Sequence, residues 1–237
     1  MNDADRTVNK LLEQAERELQ PRRRIPLVVM ILPGLMILGL IAFLIYREIS
    51  VRNAPIPDNL GTLYAGLERG TTEQGFPRLG RADAPILIED FSSYVCPHCR
   101  DFHNEYLPAF VDEITAGEVQ FVFVPIANIG PGATDATKGA FCAGEQGQFW
   151  EMSDVLFDWQ DRFLIFTFDP RRLIKGANAM GLDGDAFEAC LSAKSTQQFV
   201  DAAQNEFKGR GLSGTPTLFI NGEQVRDYAD FDDLIEP

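Results

Sequence analysis

The chain has 237 residues, with 21 Lys plus Arg against 35 Asp plus Glu and a formal net charge of −14, which argues against nucleic acid as a partner because phosphate binding wants a basic face. At 45% hydrophobic and 24% charged the composition excludes a disordered chain. Four cysteines are too few for a disulfide-stapled miniprotein, and the two histidines, His98 and His103, leave little for a histidine-rich metal site.

The first element is an apolar run. Ile25 to Tyr46 holds no charged residue over 22 positions, and a helix of that length spans a hydrocarbon core of roughly 30 Å. Pro33-Gly34 interrupts it, a pair that membrane helices tolerate. A cleaved signal peptide also starts with basic residues, but its apolar run covers about 7–15 residues and ends at a small-residue cleavage site. Neither holds here, so the run reads as a retained anchor. Arg22, Arg23 and Arg24 directly precede it, which puts the N-terminus in the cytoplasm and residues 47–237 outside. Residues 1–24 net +1, so the exported part nets −15, a charge that serves solubility.

Residues 50–80 are rich in Gly, Pro and polar side chains without sustained apolar periodicity. They read as a tether reaching roughly 30 Å, its last stretch a short edge strand. Pro85–Phe91 then predicts a buried strand, a helix follows to about Ile114, and Val119–Pro125 predicts a second strand. Strand, helix, strand is a βαβ unit with parallel strands. Ala136–Gln160, Pro170–Met180, Asp185–Ser192 and Thr196–Lys208 read as helices of an insertion packed on the sheet. Trp150, Trp159, Phe149 and Phe157 read as its core. Thr215–Ile220 predicts a strand, Asn221-Gly222 a tight turn, Glu223–Tyr228 the returning strand, and a short helix from Ala229 closes the chain.

Cys96-Pro97-His98-Cys99 falls between a predicted strand and a helix start. A helix N-terminus offers unpaired N–H groups and the positive end of the dipole, which stabilise a thiolate at Cys96. Cys99 sits one turn deeper, so the pair can alternate between dithiol and disulfide. Pro97 costs little in the first turn, and His98 adds positive charge beside the nucleophile. A zinc site would need a second CxxC or CxxH, which the chain lacks; no metal and no cofactor is expected.

The run Ala84–Cys99, together with Gly214-Thr-Pro-Thr-Leu-Phe-Ile-Asn-Gly222, resembles the DsbA-like thiol:disulfide oxidoreductases over roughly residues 76–236. The resemblance implies an α/β thioredoxin-like fold, with a mixed central sheet and an inserted helical domain. Cys96 matches the attacking cysteine and Cys99 its buried partner. Pro216 matches a cis-proline facing them, and Thr215 before it would pair with an incoming substrate strand. Asp90 stands where the family has a buried acid able to manage a proton for Cys99; a solvated strand-end acid is the alternative. His103 shares a helix face with Cys96 and reads as a surface or packing residue. The expected organisation is a cytoplasmic tail (1–24), an anchor (25–46), a tether (47–79), a first half of the fold (80–127), a helical insertion (128–209) and a second half (210–237).

The expected function is a membrane-anchored, periplasmic dithiol oxidase that donates its Cys96–Cys99 disulfide to reduced, unfolded exported proteins. The resemblance implies reoxidation by a membrane quinone-linked oxidoreductase. Thr215 leaves the direction of electron flow open, because Thr is common in reductase and isomerase relatives. A dithiol module holding clients or Cu(I) is a further alternative. Cys142 and Cys190, in predicted helices of an exported part, are expected to form a structural disulfide, against the alternative of two buried free thiols.

Overall fold

The computed structural model describes residues 3–19, 27–127, 129–163 and 166–225. The chain falls into two units, Met1–Tyr46 and Arg47–Pro237. The first holds α1 (Asp3–Leu19) and most of α2 (Leu27–Arg52), which keeps Pro33 inside it. Ile31–Arg52 is long and apolar enough to cross a membrane, with mean hydropathy 1.8. Residues 25 and 26 of the apolar run and the basic cluster Arg22–Arg24 lie outside the described residues.

The second unit is built on one mixed sheet. Its strands β1 (Arg69–Thr71), β2 (Pro77–Leu79), β3 (Ile86–Ser92), β4 (Val119–Pro125), β5 (Thr217–Ile220) and β6 (Glu223–Gln224) lie in the order β1-β2-β4-β3-β5-β6. β3 and β4 run parallel, with Asp90 opposite Phe123; the other neighbours are antiparallel. The central pair is apolar on both faces, as a strand covered on both sides must be. Ile88, Phe121 and Phe123 face a cluster with Tyr94, Trp150 and Phe157. On the other side Phe91, Val122 and Val124 pack with Phe199, Ala203 and Phe207. The turn Asn221-Gly222 takes φ values of 48° and 84°, the positive pair that a two-residue hairpin of this twist demands. The return strand is described to Gln224, and the closing helix expected from Ala229 lies outside the described residues.

Between β3 and β4 the sequence predicts one helix, but the chain forms four short pieces. These are α3 (Pro97–Asp101), a π turn (Phe102–Tyr106), a 3-10 turn (Leu107–Phe110) and α4 (Val111–Ala116). Pro108 lacks the N–H that an α ladder needs, and the pitch changes around it. The insertion comprises α5 (Ala133–Gly144), α6 (Phe149–Arg162), α7 (Pro170–Ala179), α8 (Gly184–Leu191) and α9 (Lys194–Gly209). The single helix expected over Ala136–Gln160 is therefore two. Gly147 takes φ 80°, and the Gln148 N–H turns back to the Ala143 carbonyl at 2.9 Å, closing α5 as a left-handed cap does. Asp169 and Asp183 cap α7 and α8 through the N–H groups of Arg171 and Ala186, each at 3.0 Å. Trp150, Trp159, Phe149 and Phe157 are all buried.

The tether expected over 47–79 is corrected. Val51, Tyr64, Leu67, Phe76 and Leu79 are buried, and β1 and β2 extend the sheet beyond β4. Arg172, fully buried, donates to the carbonyls of Ser50 at 2.6 Å and Asn53 at 2.9 Å, and to those of Phe166 at 2.7 Å and Thr167 at 2.8 Å. Its guanidinium lies 3.6 Å from the centre of the Phe163 ring. Trp159 Nε1 donates to the Pro55 carbonyl at 2.7 Å. Between α2 and β1 the segment lacks periodicity because single side chains such as Tyr64 and Leu67 make its contacts. It is part of the folded unit.

Candidate active site

β3 delivers the chain to a turn, Ser93–Val95, that opens into α3 with Cys96 at the N-cap and Pro97 in the first turn. Cys96 is half-buried and Cys99 buried, and both are free thiols. Cys96 Sγ donates to the Thr215 carbonyl at 3.2 Å, across the cis Thr215–Pro216 peptide that precedes β5. Behind it, the Ser93 N–H donates to Cys99 Sγ at 3.3 Å. The structure thus brings Cys96, Cys99, Thr215 and Pro216 together from both halves of the sheet.

The two sulfurs differ electrostatically. The Cys96 thiol is lowered from 9.0 to about 5, first by a hydrogen bond from the Cys99 side chain and then, against the raising effect of burial, by the Thr215 side chain and the backbone N–H groups of Cys99 and His98. Burial pushes the Cys99 thiol far up, helped by its bond to Cys96 and by the charge on Asp90. His98 contributes its backbone N–H to the lowering at Cys96, and its side chain is exposed.

Asp90 is buried, at 1% exposure, in the middle of β3 between Phe123 of β4 and Leu218 of β5. Burial raises its carboxyl from 3.8 to about 7, against the lowering effect of the Ser92 hydroxyl that donates to it, with the Cys96 charge a further raising influence. It is not a solvated strand-end acid.

Three residues around the site, Gln160, Tyr64 and Asp154, were not singled out by the sequence. Gln160, near the end of α6, donates through Nε2 to the carbonyls of Tyr94 at 2.9 Å and Cys96 at 3.1 Å. The insertion thereby holds the nucleophile's turn directly. Three and four residues earlier on α6, Phe157 and Leu156 are buried, so helical spacing places Gln160 on the same inward side. His103, read as a surface or packing residue, is buried. Its Nε2 lies 2.8 Å from Asp154 Oδ1 and 3.1 Å from the Tyr64 hydroxyl, which itself donates to Asp154 at 2.6 Å. Partners 39 and 51 residues away leave no local signal.

Away from this site, Cys142 of α5 and Cys190 of α8 are bonded, with Cα atoms 5.7 Å apart. Among the described residues no cluster of three or more His, Cys, Asp or Glu side chains has a metal-binding arrangement.

A mixed sheet entered by a strand–CxxC–helix turn, with a cis-proline loop against the cysteines and helices inserted between the halves, is the class of thioredoxin-like folds with a dithiol site. The thioredoxin family profile matches residues 72–237, and the chain belongs to that family. It is 25% identical over 167 residues to disulfide bond formation protein D of Bacillus subtilis, covering 69% of this chain and 75% of that one. It is 32% identical over 151 residues to Na(+)/H(+) antiporter NhaA 3 of Salinispora tropica, a match over 61% of this chain but 21% of the antiporter. The chain thus spans about a fifth of the antiporter's length. Among solved structures, oxidised BdbD from Bacillus subtilis superposes with TM-score 0.62 at 24% identity, over 71% of this chain and 94% of that one. Wolbachia pipientis alpha-DsbA1 gives 0.59 at 22%, over 67% and 87%. These two likenesses establish the shared DsbA-like fold.

Proposed function

We propose that the chain is a thiol:disulfide oxidoreductase that runs as a dithiol oxidase on exported proteins. The observation that carries this reading is the asymmetry of the pair. Cys96 Sγ sits at a helix start beside the Thr215 carbonyl, whereas Cys99 is buried behind it.

With Cys96 and Cys99 joined, a client thiolate attacks Cys96 Sγ. The Cys96–Cys99 bond breaks, and Cys99 leaves as a thiolate and takes a proton, for which Asp90 is the nearby buried acid. A second client thiolate then attacks the client sulfur of the mixed disulfide. The client disulfide forms and Cys96 departs as a thiolate, a good leaving group with a pKa of about 5. Two electrons pass from client to protein. A thiolate this stable favours the reduced form and makes the disulfide oxidising. Reoxidation falls to a membrane quinone-linked disulfide oxidoreductase, the partner implied by the family resemblance.

Thr215 is the feature that favours the second reading, a reductase or isomerase on the same fold. The reduction potential measured against glutathione separates the two, an oxidising value supporting the oxidase. Cys96→Ser should abolish oxidation of a reduced unfolded protein, and Cys99→Ser should accumulate mixed disulfides; retained activity in Cys96→Ser overturns the assignment. The apolar part of α2 serves as the anchor in this reading, with residues 1–24 cytoplasmic and the catalytic unit periplasmic. A reporter fused after Pro237 should be active outside the cytoplasm, and recovery of a soluble form starting near residue 50 would refute the anchor.

A further inference from the structure

Side chains two apart on a strand share a face, so Ile88, Asp90 and Ser92 of β3 point the same way. Ile88 packs in the cluster that also holds Cys99. Asp90, Ser92 and Cys99 are all buried, at 1% exposure or less. The Ser92 hydroxyl donates to Asp90 Oδ1. The same hydroxyl is a hydrogen-bond partner of the Cys99 side chain, where it favours the thiolate. Asp90, by contrast, acts on Cys99 through its charge and not through a hydrogen bond. Ser92 is the link between the acid and the leaving sulfur.

The surroundings hold this link in place. The Ser92 carbonyl accepts from the Ile126 N–H at 2.7 Å, and the residue stands opposite Pro125 in the register of β3 and β4. The Ser93 N–H donates to Cys99 Sγ at 3.3 Å and fixes the sulfur, whereas the Ser93 hydroxyl is buried without a hydrogen-bond partner. Across the strands Asp90 faces Phe123 and Leu218. Apart from Ser92, the group that acts on its carboxyl is therefore the Cys96 thiolate.

We propose that Ser92 is a catalytic relay, whose hydroxyl carries the proton between Asp90 and Cys99. The inference rests on the oxidoreductase reading and adds a residue to its chemistry. When the client thiolate attacks Cys96 Sγ, the Cys96–Cys99 bond breaks and its electron pair stays on Cys99 Sγ. Ser92 gives its hydroxyl proton to that sulfur and takes the Asp90 carboxyl proton in its place. An S–H bond forms, the Asp90 O–H bond breaks, and the serine ends as it began. On reoxidation the two transfers run backwards. The Asp90 carboxylate draws the Cys99 proton through Ser92 and frees the thiolate that closes the disulfide. A hydroxyl suits this place because it donates and accepts at once.

The test follows a single turnover by stopped flow, with reduced glutathione attacking the oxidised full-length protein in detergent and the rate constant expressed per glutathione thiolate. Ser92→Ala removes one buried oxygen and should slow the departure of Cys99 about 100-fold, the low end of what a positioned proton donor contributes. In an Asp90→Asn background the same substitution should add little, because the relay has lost its proton source. The wild-type rate constant should fall as rising pH strips the proton from Asp90, and should stay flat in Ser92→Ala. In mixtures of light and heavy water the wild-type rate should follow the curved dependence of two protons in flight, where a single transfer gives a straight line. That curve is read on the unsubstituted protein, so it holds even where a variant folds poorly. An unchanged rate in Ser92→Ala, losses that simply add in the double variant, or a straight line in the wild type each overturn the relay and leave the oxidoreductase reading standing. Wild-type protein that does not react with glutathione overturns the parent reading instead.

Discussion

Asp90→Asn should stabilise the reduced protein in a strongly pH-dependent way. In the unfolded chain the carboxyl titrates near its ordinary 3.8, and burial in β3 raises it to about 7. Below about pH 4 it is neutral in both states and costs nothing. From there to pH 7 the unfolded chain ionises first, and folded stability declines. Above 7 both states are charged and the loss levels off. A displacement of about three pH units at about 1.4 kcal/mol each makes that plateau about 4 kcal/mol. Asparagine keeps an acceptor for the Ser92 hydroxyl and removes the charge. Wild type and variant should therefore unfold alike near pH 4, whereas at pH 8 the variant gains about 4 kcal/mol, or roughly 10 °C in Tm for a domain this size. Urea unfolding at a series of pH values, with both cysteines reduced, reads the difference. Joining Cys96 and Cys99 removes the Cys96 charge that also raises Asp90, so in the oxidised protein the plateau should be smaller and reached at lower pH. Parallel stability curves for wild type and variant from pH 4 to 8 would refute the argument.

Three further outcomes follow from the same geometry. Thiolate absorbance at 240 nm should appear in the reduced protein with a midpoint of about 5 and vanish in Cys96→Ser; the stabilisation from that lowered thiol is full above its ordinary 9.0, declines below it and is gone once the pH has fallen through about 5. Thiol counting on the denatured oxidised protein should find none free, and Cys142→Ala, which opens a loop of 48 residues, should cost up to ~4 kcal/mol of stability while sparing client oxidation. Arg172→Met should lower stability by about 3–5 kcal/mol, because it leaves the carbonyls of Ser50, Asn53, Phe166 and Thr167 without their buried donor; limited proteolysis should then cut within residues 50–56, and unchanged resistance there would contradict the clamp.

Much of the fold was legible where local rules and tertiary packing agree. Pro85–Phe91 and Val119–Pro125 read as buried strands from their short, mostly apolar, β-branched runs, one residue off the observed Ile86–Ser92 in the first case, and Asn221-Gly222 announced its own turn. Cys96 and Cys99 were readable from strand–CxxC–helix order alone, whereas Thr215 and Pro216 came through the family resemblance. The misread segment, 47–79, contacts the rest through single side chains such as Tyr64 and Phe76, and through a guanidinium more than a hundred positions away in Arg172. No window of sequence contains that information. Gln160 was missed for the same reason, as were the partners Tyr64 and Asp154 that hold the buried His103. The helix past Cys99 was overextended because apolar spacing outweighed Pro108.

The hairpin of β1 and β2 covers one side of β4, where Arg78 and Leu79 sit opposite Val122 and Phe121. A shortened form beginning at Gly80 would leave that side of β4 as a bare edge, with a run of Val, Phe and Val whose N–H and C=O groups seek a partner. Such edges pair with the nearest equivalent edge, which in concentrated solution belongs to another copy. Residues 69–79 thus keep the sheet solitary, and a soluble version of this protein that begins at Arg47 should stay monodisperse where one beginning at Gly80 precipitates.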